Sequence, residues 1–109
     1  MWNKPTEKQL EKLPAMYSTE NIDVKDKVVR MHFFLFGSDW YATEYSPKRE
    51  EFFGFVILNG DMLNAEWGYF SLPEMCAIRH QGAEIDRDLS WKDQRAADVP
   101  KICEAEGWA

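Results

Sequence analysis

The sequence predicts an α+β domain: a four-stranded antiparallel meander plus a short extra strand, one helix packed on the sheet, and short terminal helices. Three observations lead there. The run Val28-Val29-Arg30-Met31-His32-Phe33-Phe34-Leu35-Phe36 is the most hydrophobic in the chain, and its branched and aromatic residues suit a pleated, half-buried surface. Three more aromatic runs follow, Trp40 to Tyr45, Phe52 to Leu58 and Trp67 to Leu72, parted by Gly, Asp, Asn, Ser or Pro. The helix signals are short and lie outside these runs.

The elements follow in order. Thr6-Glu7-Lys8-Gln9 after Pro5 forms a capping box, in which the Thr hydroxyl and the Gln side chain satisfy free amides of a first turn. Leu10 and Leu13 share a face of that helix, and Pro14 ends it. Ala15 to Lys27 is a polar connector with Tyr17 and Ile22 as anchors to the core. The run from Val28 is expected to be the central strand. Period two places Val29, Met31, Phe33 and Leu35 on an apolar core face, and Val28, Arg30, His32, Phe34 and Phe36 on the other. His32 is then a sandwiched histidine with a hydrogen-bond partner rather than a general base.

A tight turn at Gly37-Ser38-Asp39 leads to a second strand. Alternation sets Tyr41, Thr43 and Tyr45 against Trp40, Ala42 and Glu44. The charged loop 46–51 precedes a third strand, where Gly54 marks a bulge or a ring laid across the backbone. Glu66 to Phe70 is the fourth. Ser71-Leu72-Pro73-Glu74 is a second capping box, opening a helix to about His80 that Gly82 terminates. In an extended Ala83 to Leu89, the acids Glu84, Asp86 and Asp88 share one face and Ile85, Arg87 and Leu89 the other. Asp98 caps a last short helix through Val99, Ile102 and Cys103.

Length and composition narrow the function classes. At 109 residues, 45% of them hydrophobic, the chain suits one domain over 1–109 with one core. No apolar run approaches the roughly 20 residues that span a bilayer, and the N-terminus lacks a signal peptide's apolar stretch, so a cytoplasmic protein is expected. Cys76 and Cys103 are widely spaced and read as reduced, packed thiols. With His32 and His80 they show no metal-type spacing. Residues 1–59 hold nine acids against eight Lys or Arg, and residues 60–109 hold ten against five, so the second half carries -5 of the -6 net charge. Phosphate binding needs a basic footprint, which argues against direct nucleic-acid binding.

Several ordered motifs resemble one family. They are Trp40-Tyr41-Ala42-x-Glu44-Tyr45, Phe52-Phe53-Gly54, Gly68-Tyr69-Phe70-Ser71-Leu72-x-Glu74 and Ile85-Asp86-Arg87-Asp88-Leu89, preceded by Leu13-Pro14-Ala15-Met16-Tyr17. Together they resemble domain of unknown function family 2958, small proteins of bacterial plasmids, integrative elements and phages. The family often has Glu where Asp86 stands, and it varies at Pro73. The resemblance implies an accessory protein of a mobile genetic element in the cytoplasm of a bacterial host. It implies no activity and no cofactor. Glu44 and Arg87 match the family's recurring polar positions, and an ion pair between them is expected to fix strand register.

Three functions compete. The first is a non-enzymatic interaction protein, an inhibitor of a host DNA-binding defence complex such as a CRISPR or restriction system. In it Glu84, Asp86, Asp88, Asp93 and Asp98 imitate DNA phosphates before a basic protein surface, with Trp91 and Trp108 as anchors. The second is a metal-assisted enzyme using Glu44, Asp86 and Asp88, with His32 as base. The third is a module that binds a plasmid- or phage-encoded partner through exposed aromatics.

Overall fold

The computed structural model describes residues 1–108. The helices are α1 (Glu7–Leu10), α2 (Leu72–Ala77) and α3 (Pro100–Glu106). The strands are β1 (Val28–Val29), β2 (Met31–Leu35), β3 (Ser38–Ser46), β4 (Glu51–Ile57), β5 (Glu66–Ser71), β6 (Arg79–His80), β7 (Ala83–Glu84), β8 (Asp86–Arg87) and β9 (Gln94–Arg95). The main sheet has the order β5-β4-β3-β2-β8, antiparallel throughout. The expected meander and its extra strand are both present, but the sheet is organised around β3 rather than the run from Val28.

That run is divided at Arg30. Val28 and Val29 pair with Arg95 and Gln94, while Met31 to Leu35 pair with β3. Period-two alternation therefore does not carry through Arg30. Val29 packs in a different cluster from Met31 and Phe33, with which it was expected to share a face. The following turn is Phe36-Gly37, one residue earlier than expected, since Ser38 already pairs with Leu35.

The sheet is packed on both faces. One face joins Met31, Phe33, Trp40, Ala42, Tyr45, Phe52 and Phe70 to Leu10 and Leu13 from the α1 segment, Leu72 and Met75 from α2, and Ile85. The other joins Val29, Tyr41, Phe55 and Ile57 to Ala96, Val99 and Ile102, which α3 and the turn before it supply. Tyr45 lies on the first face, contrary to its expected grouping with Tyr41. The register shifts between Ala42 and Glu44, which leaves Thr43 as an extra residue and reverses the alternation beyond it. Gly54 lies opposite Ala42, where that bulge begins. A Cβ there would come within 1.8 Å of the Tyr41 carbonyl oxygen, so the anticipated close approach comes from the neighbouring strand's backbone.

Other local signals resolve as follows. The Thr6 hydroxyl accepts from the Gln9 amide at 3.2 Å, and the Gln9 side chain accepts from the Thr6 amide at 2.9 Å. Ser71 caps α2 by accepting from the Glu74 amide at 3.2 Å. The helix stops at Ala77, short of His80. Gln81 and Gly82, at φ 51° and 81°, then close a two-residue hairpin between β6 and β7, a turn that needs positive φ at both positions. Asp98 caps nothing: α3 begins after Val99 without a side-chain cap, with Pro100 in its first turn. Tyr17 and Ile22 are both exposed and do not anchor the connector. Buried Lys27 does so instead.

Candidate functional site

The strip of acids expected to face a partner is tied into the fold. Glu84 pairs with the Met1 amine at 2.5 Å and with Arg79 at 3.5 Å. That amine's hydrogen bond, joined by the charge of Arg79, holds the Glu84 carboxyl below its ordinary range. Asp86 accepts from the Asn3 amide side chain at 2.8 Å. Asp93 pairs with Arg30 at 2.8 Å and Asp98 with Arg95 at 3.3 Å. Three of the five carboxylates thus have a cationic partner, and a fourth, Asp88, lies against His32. The surface needed to imitate a run of free phosphates is not assembled. Trp91 packs beside the second core, with its indole N–H donating to the Val29 carbonyl at 3.0 Å. Trp108 packs there too, under the Lys25 ammonium at 5.5 Å from the ring centre.

His32 lies between two carboxylates. Its Nδ1 is 3.0 Å from Asp88 and its Nε2 is 2.7 Å from Asp39, whose other oxygen accepts from Lys101 at 2.8 Å. The imidazolium form donates on both sides. Its ring stacks on Tyr41, centre to centre 4.6 Å at 9°, with Trp91 at 5.2 Å. Burial pushes the Asp39 carboxyl up, but hydrogen bonds from His32 and Lys101 outweigh it and leave the group below its ordinary value. Asp88 follows the same balance, with His32 and Ser90 as donors. Burial beside these two acids raises the Tyr41 phenol. The expected sandwiched, hydrogen-bonded histidine is what this geometry describes.

Glu44 and Arg87 do not meet. Glu44 accepts from the amides of Tyr17 at 2.9 Å and Thr19 at 3.2 Å and from the Thr19 hydroxyl, and its cation is Lys27 at 3.9 Å. Arg87 donates to the Asn3 carbonyl at 2.8 Å. The expected pairing fails because the bulge carries Glu44 to the side where the connector folds over, opposite Phe53. Glu44 therefore pins the connector, holding the amide of Tyr17 at φ 68°, a region unusual for a side chain of that size. Nor does Glu44 join Asp86 and Asp88. Among the described residues no three His, Cys, Asp or Glu side chains gather in metal-binding geometry.

A different acidic site emerges beside α1. A groove of about 480 Å³ has Pro5, Leu10, Tyr45, Pro47 and Leu72 among its walls and Glu7, Glu11 and Glu50 on its rim, with Lys4 at one end. Among the described residues none of these three glutamates has an ion-pair partner within 4 Å. Tyr45 is only 5% exposed, and among the described residues its hydroxyl has no hydrogen-bond partner. Burial raises that phenol, and the charges of Glu50 and Glu7 raise it further. The sequence holds half of this signal, since Glu7 and Glu11 at i, i+4 flank a buried Leu10. Tyr45, from the end of β3, and Glu50, from the β3–β4 connection, reach the groove only through the fold.

Fold and site together define a small α+β domain with charged grooves on a doubly packed sheet. The chain belongs to the family described as "Protein of unknown function (DUF2958)", whose model matches residues 5–100. No curated protein and no solved structure matches it. No helix is long and apolar enough to cross a membrane.

Proposed function

We propose that this chain is a non-enzymatic interaction protein that docks a basic segment of a partner protein in the α1 groove. The observation that carries this is three carboxylates with no ion-pair partner among the described residues, around an apolar floor. An Arg or Lys laid there would place its alkyl stem on Leu10, Tyr45 and Leu72 and its charge among Glu7, Glu11 and Glu50. The free Tyr45 hydroxyl adds a polar contact within reach of the same site. The setting that the sequence resemblance implies, a mobile element in a bacterial host, would suit a target among host defence complexes that hold DNA with Lys and Arg.

The test is anisotropy of a labelled peptide of alternating Arg and Leu. Binding should weaken steeply with added salt and fall roughly tenfold in E7Q/E11Q/E50Q, while D93N/D98N binds as the parent does. Equal affinity for parent and triple variant, or no response to salt, would overturn the reading. A second reading rests on Tyr17, Phe53 and Tyr69, aromatics that line a pocket of about 300 Å³ above Glu44 and Lys27. It predicts that Tyr69→Ala abolishes partner capture while the triple variant does not.

A further inference from the structure

The opposite flank of α1 carries the reverse charge. A cleft of about 350 Å³ is lined by Lys12, Arg30 and Arg87, with Leu13, Met31 and Trp91 as apolar surface. The acids on its wall are Asp88, engaged by His32, and Asp93, engaged by Arg30. Lys12 and Arg87 have no carboxylate within 4 Å among the described residues. In a chain of net charge -6, three cations around one cavity are a local reversal. A second observation is independent of charge. The Arg30 Nε is buried and among the described residues has no hydrogen-bond partner, although the same guanidinium's Nη1 is bonded to Asp93. Buried N–H groups are rarely left unpaired, so the protein itself leaves this guanidinium incompletely satisfied.

From this we infer that the cleft is a binding site for a small organic phosphate monoester of about mononucleotide size. Asp93 is paired with Arg30 and Asp88 is hydrogen-bonded to His32, which leaves Lys12 and Arg87 as the cations free to meet a phosphate carrying about two negative charges at neutral pH. The guanidiniums of Arg30 and Arg87 offer planar fork geometry to phosphate oxygens. Leu13, Met31 and Trp91 cover the organic part. Phosphate affinity here does not conflict with the exclusion of nucleic-acid backbones, because a single cavity of this size holds one ester and the chain has no extended basic stripe.

Calorimetric titration of the full chain with adenosine 5′-monophosphate, inorganic phosphate and benzoate tests this. Saturable one-to-one binding of the nucleotide is expected, tighter than inorganic phosphate and weakened by salt. The variant K12Q/R87Q, shown to be folded by circular dichroism, should lose roughly tenfold or more in affinity. The inference is overturned if the nucleotide does not bind saturably, or if K12Q/R87Q binds it as the parent does. Inorganic phosphate binding as tightly as the nucleotide would remove the organic part of the ligand. Benzoate binding in preference to both would overturn the phosphate assignment. Arg30→Lys, which removes the planar guanidinium fork and keeps the charge, should weaken the nucleotide while leaving the Arg-Leu peptide affinity unchanged, which separates this site from the acidic groove.

Discussion

The two faces of the main sheet are built on different terms. The face under α1 and α2 encloses aromatic and aliphatic side chains, and its core cluster contains no ionisable group other than the Tyr45 phenol. The face under α3 and the connector encloses His32, Asp39, Glu44 and Lys27 beside Tyr41 and Phe53. The difference shows what each kind of burial needs. Apolar packing asks only for shape. The buried charges survive because each has hydrogen bonds from a fixed direction: two amides for Glu44, a carbonyl and hydroxyl of Thr19 for Lys27, and two donors for Asp39. The Thr43 bulge is the device that separates the faces, sending Tyr45 to one and Glu44 to the other.

The contrast breaks most completely at Gly54. Gly54→Ala drives a Cβ into the Tyr41 carbonyl, which is backbone and cannot rotate away, so it should cost more than about 3 kcal/mol in urea unfolding or prevent folding. Gly68→Ala, where nothing lies within 4 Å, should stay within about 1 kcal/mol of the parent. Comparable losses at both positions would mean that the bulge does not set the registration.

Next in size is Glu44→Leu, which strands buried Lys27 and two amides and should cost about 3 kcal/mol. Phe52→Ala on the apolar face should cost about as much for a different reason, an unfilled cavity. Only the Glu44 change should loosen the connector, read as faster amide exchange at residues 17 and 19. Unchanged exchange there would remove Glu44 from its anchoring role.

The smallest effect is the acid response. Asp39 and Asp88 are held below their ordinary value in the fold, so the unfolded chain binds more protons just above those lowered values. Their stabilisation is therefore fully present above about pH 4 and is lost as pH falls through the folded values. Thermal unfolding measured from about pH 5 down to about pH 3 should show a shallower decline in His32→Gln than in the parent. An identical slope would show that the histidine does not depress these acids.

Helix α1 repeats the contrast between neighbours on a smaller scale. Glu7, Leu10 and Glu11 open to the acidic groove, while Gln9, Lys12 and Leu13 open to the cationic cleft. The spacing of those residues is plain in the sequence, but the walls they face are not. Tyr45 arrives from the end of β3 and Glu50 from the β3–β4 connection, while Arg30 comes from between β1 and β2 and Arg87 and Trp91 from the stretch around β8.

Local chemistry determined much of this protein in advance: the meander from its aromatic runs and turn residues, the caps at Thr6 and Ser71, the need for Gly54, and a stacked histidine with a partner. Those features depend on neighbours a few residues apart or on alternation within one strand, so they are written where they act. Tertiary structure alone decided that Arg30 interrupts the first run, that Thr43 reverses the second, and that Glu84, Asp88 and Asp93 meet partners from distant segments. A bulge changes every facing beyond it by one residue, and an ion pair depends on which strands lie side by side. Neither quantity has a local signature, and so the charged grooves appear only once the sheet is closed.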